Sequence, residues 1–210
     1  MNISELKILD YIQEHFKCGF LDWFMPLVTR LGDKGIFWIA VALILIITEK
    51  YRKTGIMMGV ALLLGLIVGN ATLKPLVART RPYDMPGVEI ELLVKRLHDF
   101  SFPSGHSLAC FEAATVLMIR EKKFGIPALV IAILVALSRL YLYVHYPTDV
   151  LAGTVLGIAF GFLAVYIVNT AVKIYNKQCP FQRTAPPSLC CVFKFFIIIN
   201  FYRGIDNVNS

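Results

Sequence analysis

Five apolar runs dominate the chain: Ile36 to Thr48, Gly55 to Leu73, Ser104 to Ile119, Phe124 to Val144 and Val150 to Val172. Apolar character runs all round these segments instead of alternating, which predicts membrane helices and not barrel strands. A span needs roughly 17 to 25 residues, so the first and third qualify only if flanking residues are drawn in. Ahead of them, residues 3–16 set Ile3, Leu6, Ile8, Leu9, Ile12 and Phe16 among charged neighbours. That spacing predicts an amphipathic helix lying at the membrane surface as an anchor. Residues 19–31 are apolar but carry Asp22, Pro26 and Arg30, and read as an interfacial or re-entrant segment, with a sixth span as the close alternative. The expected fold is therefore all-α, a polytopic membrane helix bundle with five firm spans and a sixth in question. It divides into an amphipathic and interfacial segment over 1–34, a membrane domain over 35–175 and a tail over 176–210. In the tail, Pro180, Pro186 and Pro187 break any continuing helix, and the run Leu189 to Phe201 contains Lys194 and is short for a span. It reads as interfacial, without chemistry of its own.

Composition agrees with the pattern: 57% of the 210 residues are hydrophobic and 17% charged, unlike a soluble domain. The formal charge of +7 does not point to nucleic acid, because the basic residues sit in short clusters between apolar runs. Lys50, Arg52 and Lys53 form one cluster, Arg120, Lys122 and Lys123 another, and Lys173 and Lys177 follow the last run. The positive-inside rule puts these on the cytoplasmic side and the connections 74–103 and 139–149 on the outer side. Lys74, Arg79, Arg81, Lys95 and Arg96 lie in the first of those outward connections, so they need a reason other than topology. Cys18, Cys110, Cys179, Cys190 and Cys191 follow neither a metal-ligand spacing nor a disulfide framework, and no metal or cofactor is expected. No basic region with an apolar core and cleavage site opens the chain, so no removable signal peptide is expected.

The connection from Lys74 to Phe102 contains Pro75, Pro82, Pro86 and Gly87, which interrupt helices, and enough apolar residues to pack as a functional loop. Four polar groups fall at the outward ends of the expected spans: Lys74 with Arg81, Ser104 with His106, Ser138 with Arg139, and His145 with Asp149. Ionisable groups at membrane spans are costly and mark function. Lys74, Arg81 and Arg139 supply cations, and the guanidinium fork suits phosphate oxygens. Ser104 is placed to cap a helix whose first N–H groups and dipole favour an anion. Of the two histidines, one can attack phosphorus while the other protonates the leaving oxygen. Pro147 opens a helix, which sets Asp149 in its first turn, close enough to hold one imidazole nitrogen of His145.

Lys74-(six residues)-Arg81-Pro82, then Pro103-Ser104-Gly105-His106, then Ser138-Arg139-(five residues)-His145-(three residues)-Asp149 resembles, position by position, the three-part signature of the type 2 phosphatidic acid phosphatase superfamily. That resemblance covers 74–149 and, through the helical pattern, about 35–172. It implies that His145 is a nucleophile forming a phosphohistidine, that Asp149 orients it, and that His106 is the general acid. It further implies that Lys74, Arg81, Ser104, Gly105 and Arg139 bind phosphate, with no metal. The implied substrate is a lipid phosphate in the cell membrane (undecaprenyl pyrophosphate, phosphatidylglycerophosphate or phosphatidate), met at the extracytoplasmic ends of the helices.

Other residues read more plainly. Arg79, Lys95 and Arg96 are expected as snorkelling anchors, and Tyr141, Tyr143 and Tyr146 as an interfacial belt. His15 and His98 read as surface residues, His98 with substrate contact as the alternative. Glu112 is expected to bond a neighbouring helix, with a proton relay as the alternative, and Gly65, Gly69, Gly153, Gly157 and Gly161 are expected to serve helix packing. Two other functions compete. A vanadate-dependent haloperoxidase would use the same oxyanion-binding residues, but that class is soluble and larger. A transporter or lipid-headgroup-binding protein would need the cations but not two histidines with Asp149. The sequence does not choose among lipid substrates or set the oligomeric state.

Overall fold

The computed structural model describes residues 3–178, so the tail and its apolar run lie outside the described residues. Eight α-helices make up the described chain: α1 (Ile3–Phe16), α2 (Gly19–Thr29), α3 (Ile36–Ile47), α4 (Arg52–Leu64), α5 (Lys74–Val77), α6 (Gly105–Arg120), α7 (Lys122–Tyr141) and α8 (Pro147–Gln178). No strand is present among the described residues. A 3-10 segment, Arg30–Gly35, joins α2 to α3, and a π-helical segment, Gly65–Leu73, runs from α4 into α5.

Three helical stretches are long and apolar enough to cross a membrane: Glu49–Asp84, Lys122–Tyr141 and Pro147–Ile174. At 1.5 Å per residue, α3 and α6 are only about 18 and 24 Å long, which is why their runs need flanking residues to span. The outer surface of the bundle is apolar where lipid would lie, with Ile44, Ile47, Leu63, Ile126, Val155, Phe162 and Tyr166 exposed.

The central helix is α6, which packs against α4, α7 and α8. Its core face buries Leu108, Cys110, Phe111, Ala113, Ala114, Val116 and Leu117, and Trp38 Nε1 donates to Cys110 Sγ at 3.1 Å. Small residues set how closely α8 approaches it. A Cβ on Gly153 would come within 2.5 Å of the Ser104 carbonyl oxygen, and one on Gly157 within 2.7 Å of the Leu108 carbonyl oxygen. Backbone meets backbone there, so nothing flexible can move aside. Gly157→Leu is expected to destabilise the fold by about 1–3 kcal/mol, read as a lower thermal midpoint in detergent; an unchanged midpoint sinks this account of the packing.

The first two helices also pack against the protein itself. Leu9 of α1 is fully buried, and with Leu6 and Ile12 it packs into a small core with Tyr83, Tyr141, Leu142, Tyr143, Val144 and Tyr146. One face of α1 therefore covers the α7–α8 turn, while Ile8, Tyr11 and Phe16 stay exposed. The three tyrosines are not an interfacial belt: Tyr141, Tyr143 and Tyr146 are at most 4% exposed. Tyr141 and Tyr143 donate their hydroxyls to Asp22 of α2 and Asp10 of α1, each at 2.6 Å. Partnered hydroxyls are what allow a tyrosine to be buried. The α2 helix, 11 residues long, is about 16 Å in length, and the backbone breaks at Asp33 and Lys34 before α3 begins.

Candidate active site

The three parts of the sequence signature converge at one end of the bundle, and each is placed by a local break in helical structure. The π-helical segment delivers Lys74, which begins α5. Single π turns inside α-helices recur at functional sites because they re-aim the side chains that follow. After α5 the chain turns at Ala78, in the left-handed region at φ 48°, and runs extended through Arg81 to Pro82. Ser104 has extended dihedrals and caps α6, its Oγ accepting from the Ser107 N–H at 3.5 Å and from the Ser107 hydroxyl at 3.1 Å. That cap leaves the first N–H groups of α6, at Gly105 and His106, without a partner inside the helix. The Ser104 N–H donates to the Asp149 carbonyl at 3.0 Å, which locks the start of α6 to the start of α8.

His145 lies in the α7–α8 turn, 1% exposed. Arg81 Nη1 donates to its Nε2 at 3.3 Å and to the Val144 carbonyl at 2.8 Å. A ring nitrogen facing a guanidinium must be the unprotonated acceptor, so the proton sits on Nδ1. Nδ1 lies 3.4 Å from Ser101 Oγ and 3.6 Å from Asp149 Oδ2. Ser101 in turn donates to Asp149 Oδ2, which also accepts the Tyr146 N–H at 3.0 Å. Burial pushes the proton affinity of His145 well below that of an ordinary histidine, and the neighbouring Arg139 and Arg81 push it the same way. The ring is thus a neutral base with its Nε2 lone pair turned into a cationic pocket.

That pocket holds three cations. Lys74 is 9% exposed, and Arg81 and Arg139 are each 2% exposed. Asp99 lies across two of them: Arg81 Nη2 donates to its Oδ1 at 2.7 Å, and Lys74 Nζ to its Oδ2. Burial raises the Asp99 carboxyl, but the Lys74 and Arg81 contacts outweigh it and hold it down at about 2. Arg139 Nη1 donates to Thr29 Oγ1 at 2.6 Å, and its buried Nε has no hydrogen-bond partner among the described residues. A buried, unsatisfied guanidinium N–H is a donor awaiting an acceptor. Beyond it, His106 Nε2 pairs with Asp33 Oδ1 at 2.9 Å, and that bond, against the opposing pull of burial, lowers the Asp33 carboxyl. The His106 ring rests on Gly32, where a Cβ would come within 2.7 Å of Cδ2.

The eight candidate residues Lys74, Arg81, Ser104, Gly105, His106, Arg139, His145 and Asp149 are thereby brought together. Several polar residues missed in the sequence join them: Thr29, Asp33 and Ser101. Arg79 is not a snorkelling anchor, since its guanidinium donates to Asp149 Oδ1 at 2.5 Å and to Glu5 Oε2 at 2.5 Å. Arg96 stays at the surface, 3.4 Å from Asp84, and His98 lines a cavity of about 380 Å³ beside Arg81 and Asp99. Glu112 does not bond a neighbouring helix through Oε1, which is buried against Gly65 with no partner among the described residues. The described cysteines, Cys18 and Cys110, are free.

Comparison with known proteins extends the picture. A family model described as the PAP2 superfamily matches residues 54–173. An undecaprenyl-diphosphatase of Sulfolobus acidocaldarius is 32% identical over 170 residues, spanning 80% of this chain and 79% of the relative. Among solved structures, LpxE of Aquifex aeolicus superposes with a TM-score of 0.68 at 28% identity, over 77% of this chain and 94% of that one. The transmembrane PAP2-type phosphatidylglycerolphosphate phosphatase of Bacillus subtilis gives a TM-score of 0.63 at 29% identity, over 80% and 85%. Since the family match takes in more than half of the chain and runs through every signature position, this multi-pass membrane protein belongs to the PAP2 superfamily.

Proposed function

We propose that this chain is a membrane lipid phosphatase that removes the terminal phosphate of a polyprenyl diphosphate such as undecaprenyl pyrophosphate through a phosphohistidine on His145. The observation that carries the reading is the orientation of His145, with Nε2 facing the cationic pocket, where it accepts from Arg81, and Nδ1 turned toward Ser101 and Asp149. The incoming phosphate displaces the Asp99 carboxylate from Lys74 and Arg81. Its oxygens then meet Lys74, Arg81, the free Nε of Arg139 and the N–H groups at the start of α6, donors that stabilise charge developing on phosphorus. Nε2 attacks phosphorus and a P–N bond forms as the P–O bond to the lipid breaks. The leaving oxygen takes a proton from His106, whose ring Asp33 holds through Nε2. Water, deprotonated by His106, then attacks the phosphorus, releasing inorganic phosphate and restoring His145.

The choice of a diphosphate follows the Sulfolobus relative, named an undecaprenyl-diphosphatase; the phosphatidylglycerolphosphate phosphatase neighbour makes a phospholipid monoester the second reading. The basic clusters at residues 50–53, 120–123 and 173–177 support a site on the extracytoplasmic face of the cell membrane. The test is phosphate release from undecaprenyl pyrophosphate, phosphatidylglycerophosphate and phosphatidate in detergent micelles with chelator present. Release is expected from the polyprenyl diphosphate at the highest kcat/KM. Preference for a phospholipid replaces the substrate, and no release from any of the three overturns the hydrolytic reading.

A further inference from the structure

Arg79 lies in the spacer between the two signature cations Lys74 and Arg81, and Glu5 lies in α1, outside the family-matched residues 54–173. Their side chains are 15% and 16% exposed, and they meet over the start of α8. Arg79 Nη1 donates to Asp149 Oδ1 at 2.5 Å and to Thr148 Oγ1 at 2.7 Å, while Nη2 donates to Glu5 Oε2 at 2.5 Å. Its guanidinium stacks 3.9 Å from the centre of the Tyr146 ring. Glu5 Oε1 accepts from the Thr148 N–H at 3.1 Å and from the Thr148 hydroxyl at 2.6 Å, a carboxylate at the N-terminus of a helix, where the dipole favours it.

Each oxygen of the fully buried Asp149 has a separate task. Oδ2 takes Ser101 and the Tyr146 N–H and faces His145. Oδ1 is held by Arg79, the donor it has among the described residues. A carboxylate gripped on Oδ1 cannot rotate Oδ2 away from the imidazole. The same helix that carries Glu5 also braces the turn bearing His145. Asp10 accepts from Tyr143, whose backbone sits in the left-handed region at φ 60°, and Gln13 donates to the Tyr141 carbonyl at 2.5 Å. A bulky residue at positive φ persists only when its surroundings over-determine it.

We propose that Arg79, clamped by Glu5 of α1, is a positioning residue that fixes Asp149 against His145, so that the N-terminal helix is a working part of the catalytic unit. This rests on the reading of His145 as the nucleophile and Asp149 as its partner. Arg79 acts on turnover and not on phosphate binding, because both of its arms are committed to carboxylates and Thr148.

The experiment uses the full chain in detergent with undecaprenyl pyrophosphate as substrate and orthovanadate as a probe of the phosphate pocket. Arg79→Gln is expected to lower kcat roughly 10- to 100-fold, the scale on which partners that orient a reacting group act, with KM and the orthovanadate inhibition constant within about twofold. Arg79→Lys is expected to recover part of the kcat. Glu5→Gln is expected to lower kcat several-fold in the wild-type background and to add nothing in Arg79→Gln, since coupled residues are not additive. Unchanged kcat in Arg79→Gln overturns the inference, as does a loss of orthovanadate affinity matching the loss of kcat, which would make Arg79 a phosphate ligand. Equal, additive losses from Glu5→Gln in both backgrounds overturn the clamp. Wild-type enzyme that is inactive, or a His145→Ala variant that keeps activity, removes the underlying reading instead.

Discussion

Replacing His145 with alanine is expected to lower phosphate release by roughly 10⁴-fold or more, the scale of losing the nucleophile from a unit whose members act together. Acid-stable but base-labile protein-bound phosphate is not what a phosphohistidine gives, so the intermediate is sought by alkaline quenching: labelled substrate should leave phosphate on the wild type and none on the variant. The pH dependence follows from the environment of the ring. Burial, Arg139 and Arg81 all disfavour the imidazolium, so the group protonates well below the ordinary histidine value. A base must be unprotonated to attack, and activity governed by it is lost only as pH falls through its own lowered pKa. The acid limb of kcat/KM, where the His145 base is lost, is therefore expected below pH 6.5. A limb centred at or above 6.5 contradicts the assignment of that limb to His145, and a His145→Ala enzyme retaining full turnover would falsify the mechanism.

What the sequence made legible was the part of the site that is local in the chain. His145 and Asp149 are four residues apart across a helix start, and Ser104 to Ser107 is one cap, so spacing alone places them together. Contacts across long sequence separation were hidden. Asp33 sits in a Gly-Asp-Lys-Gly stretch that reads as an ordinary polar turn, and its pairing with His106 exists only because the 3-10 segment folds against the start of α6. Arg79 reads as an anchor because Glu5 is 74 residues away. Burial of Tyr141 and Tyr143 was hidden for the same reason: the acceptors Asp22 and Asp10 come from the first two helices, and without partners those hydroxyls would belong at an interface. Helix existence was clear from apolar runs, whereas the break at Asp33 and the π-helical segment ahead of Lys74 leave no periodic signal.

Arg81→Lys is the second substitution with a large expected effect, and it separates charge from geometry. The guanidinium uses every arm: Nε donates to the Asp99 carbonyl at 2.9 Å, Nη1 to the Val144 carbonyl and to His145 Nε2, and Nη2 to Asp99 Oδ1. Lysine keeps one positive charge but is a point donor on a flexible stem and cannot make these planar contacts at once. Loss of one preorganised donor at a developing oxyanion costs roughly 10²–10³-fold, so kcat/KM is expected to fall by that factor. Because the Val144 and Asp99 carbonyls are also released, both the turn bearing His145 and the loop bearing Asp99 lose a brace, and kcat should fall along with orthovanadate affinity. This pattern differs from that expected for Arg79, where turnover falls and the oxyanion still binds. A fall confined to KM would mean that Arg81 only holds the headgroup, leaving the orientation of Nε2 to other groups. Wild-type activity in the Arg81→Lys enzyme would mean that the pocket reads charge alone, and the geometric account of the cation fork would be lost.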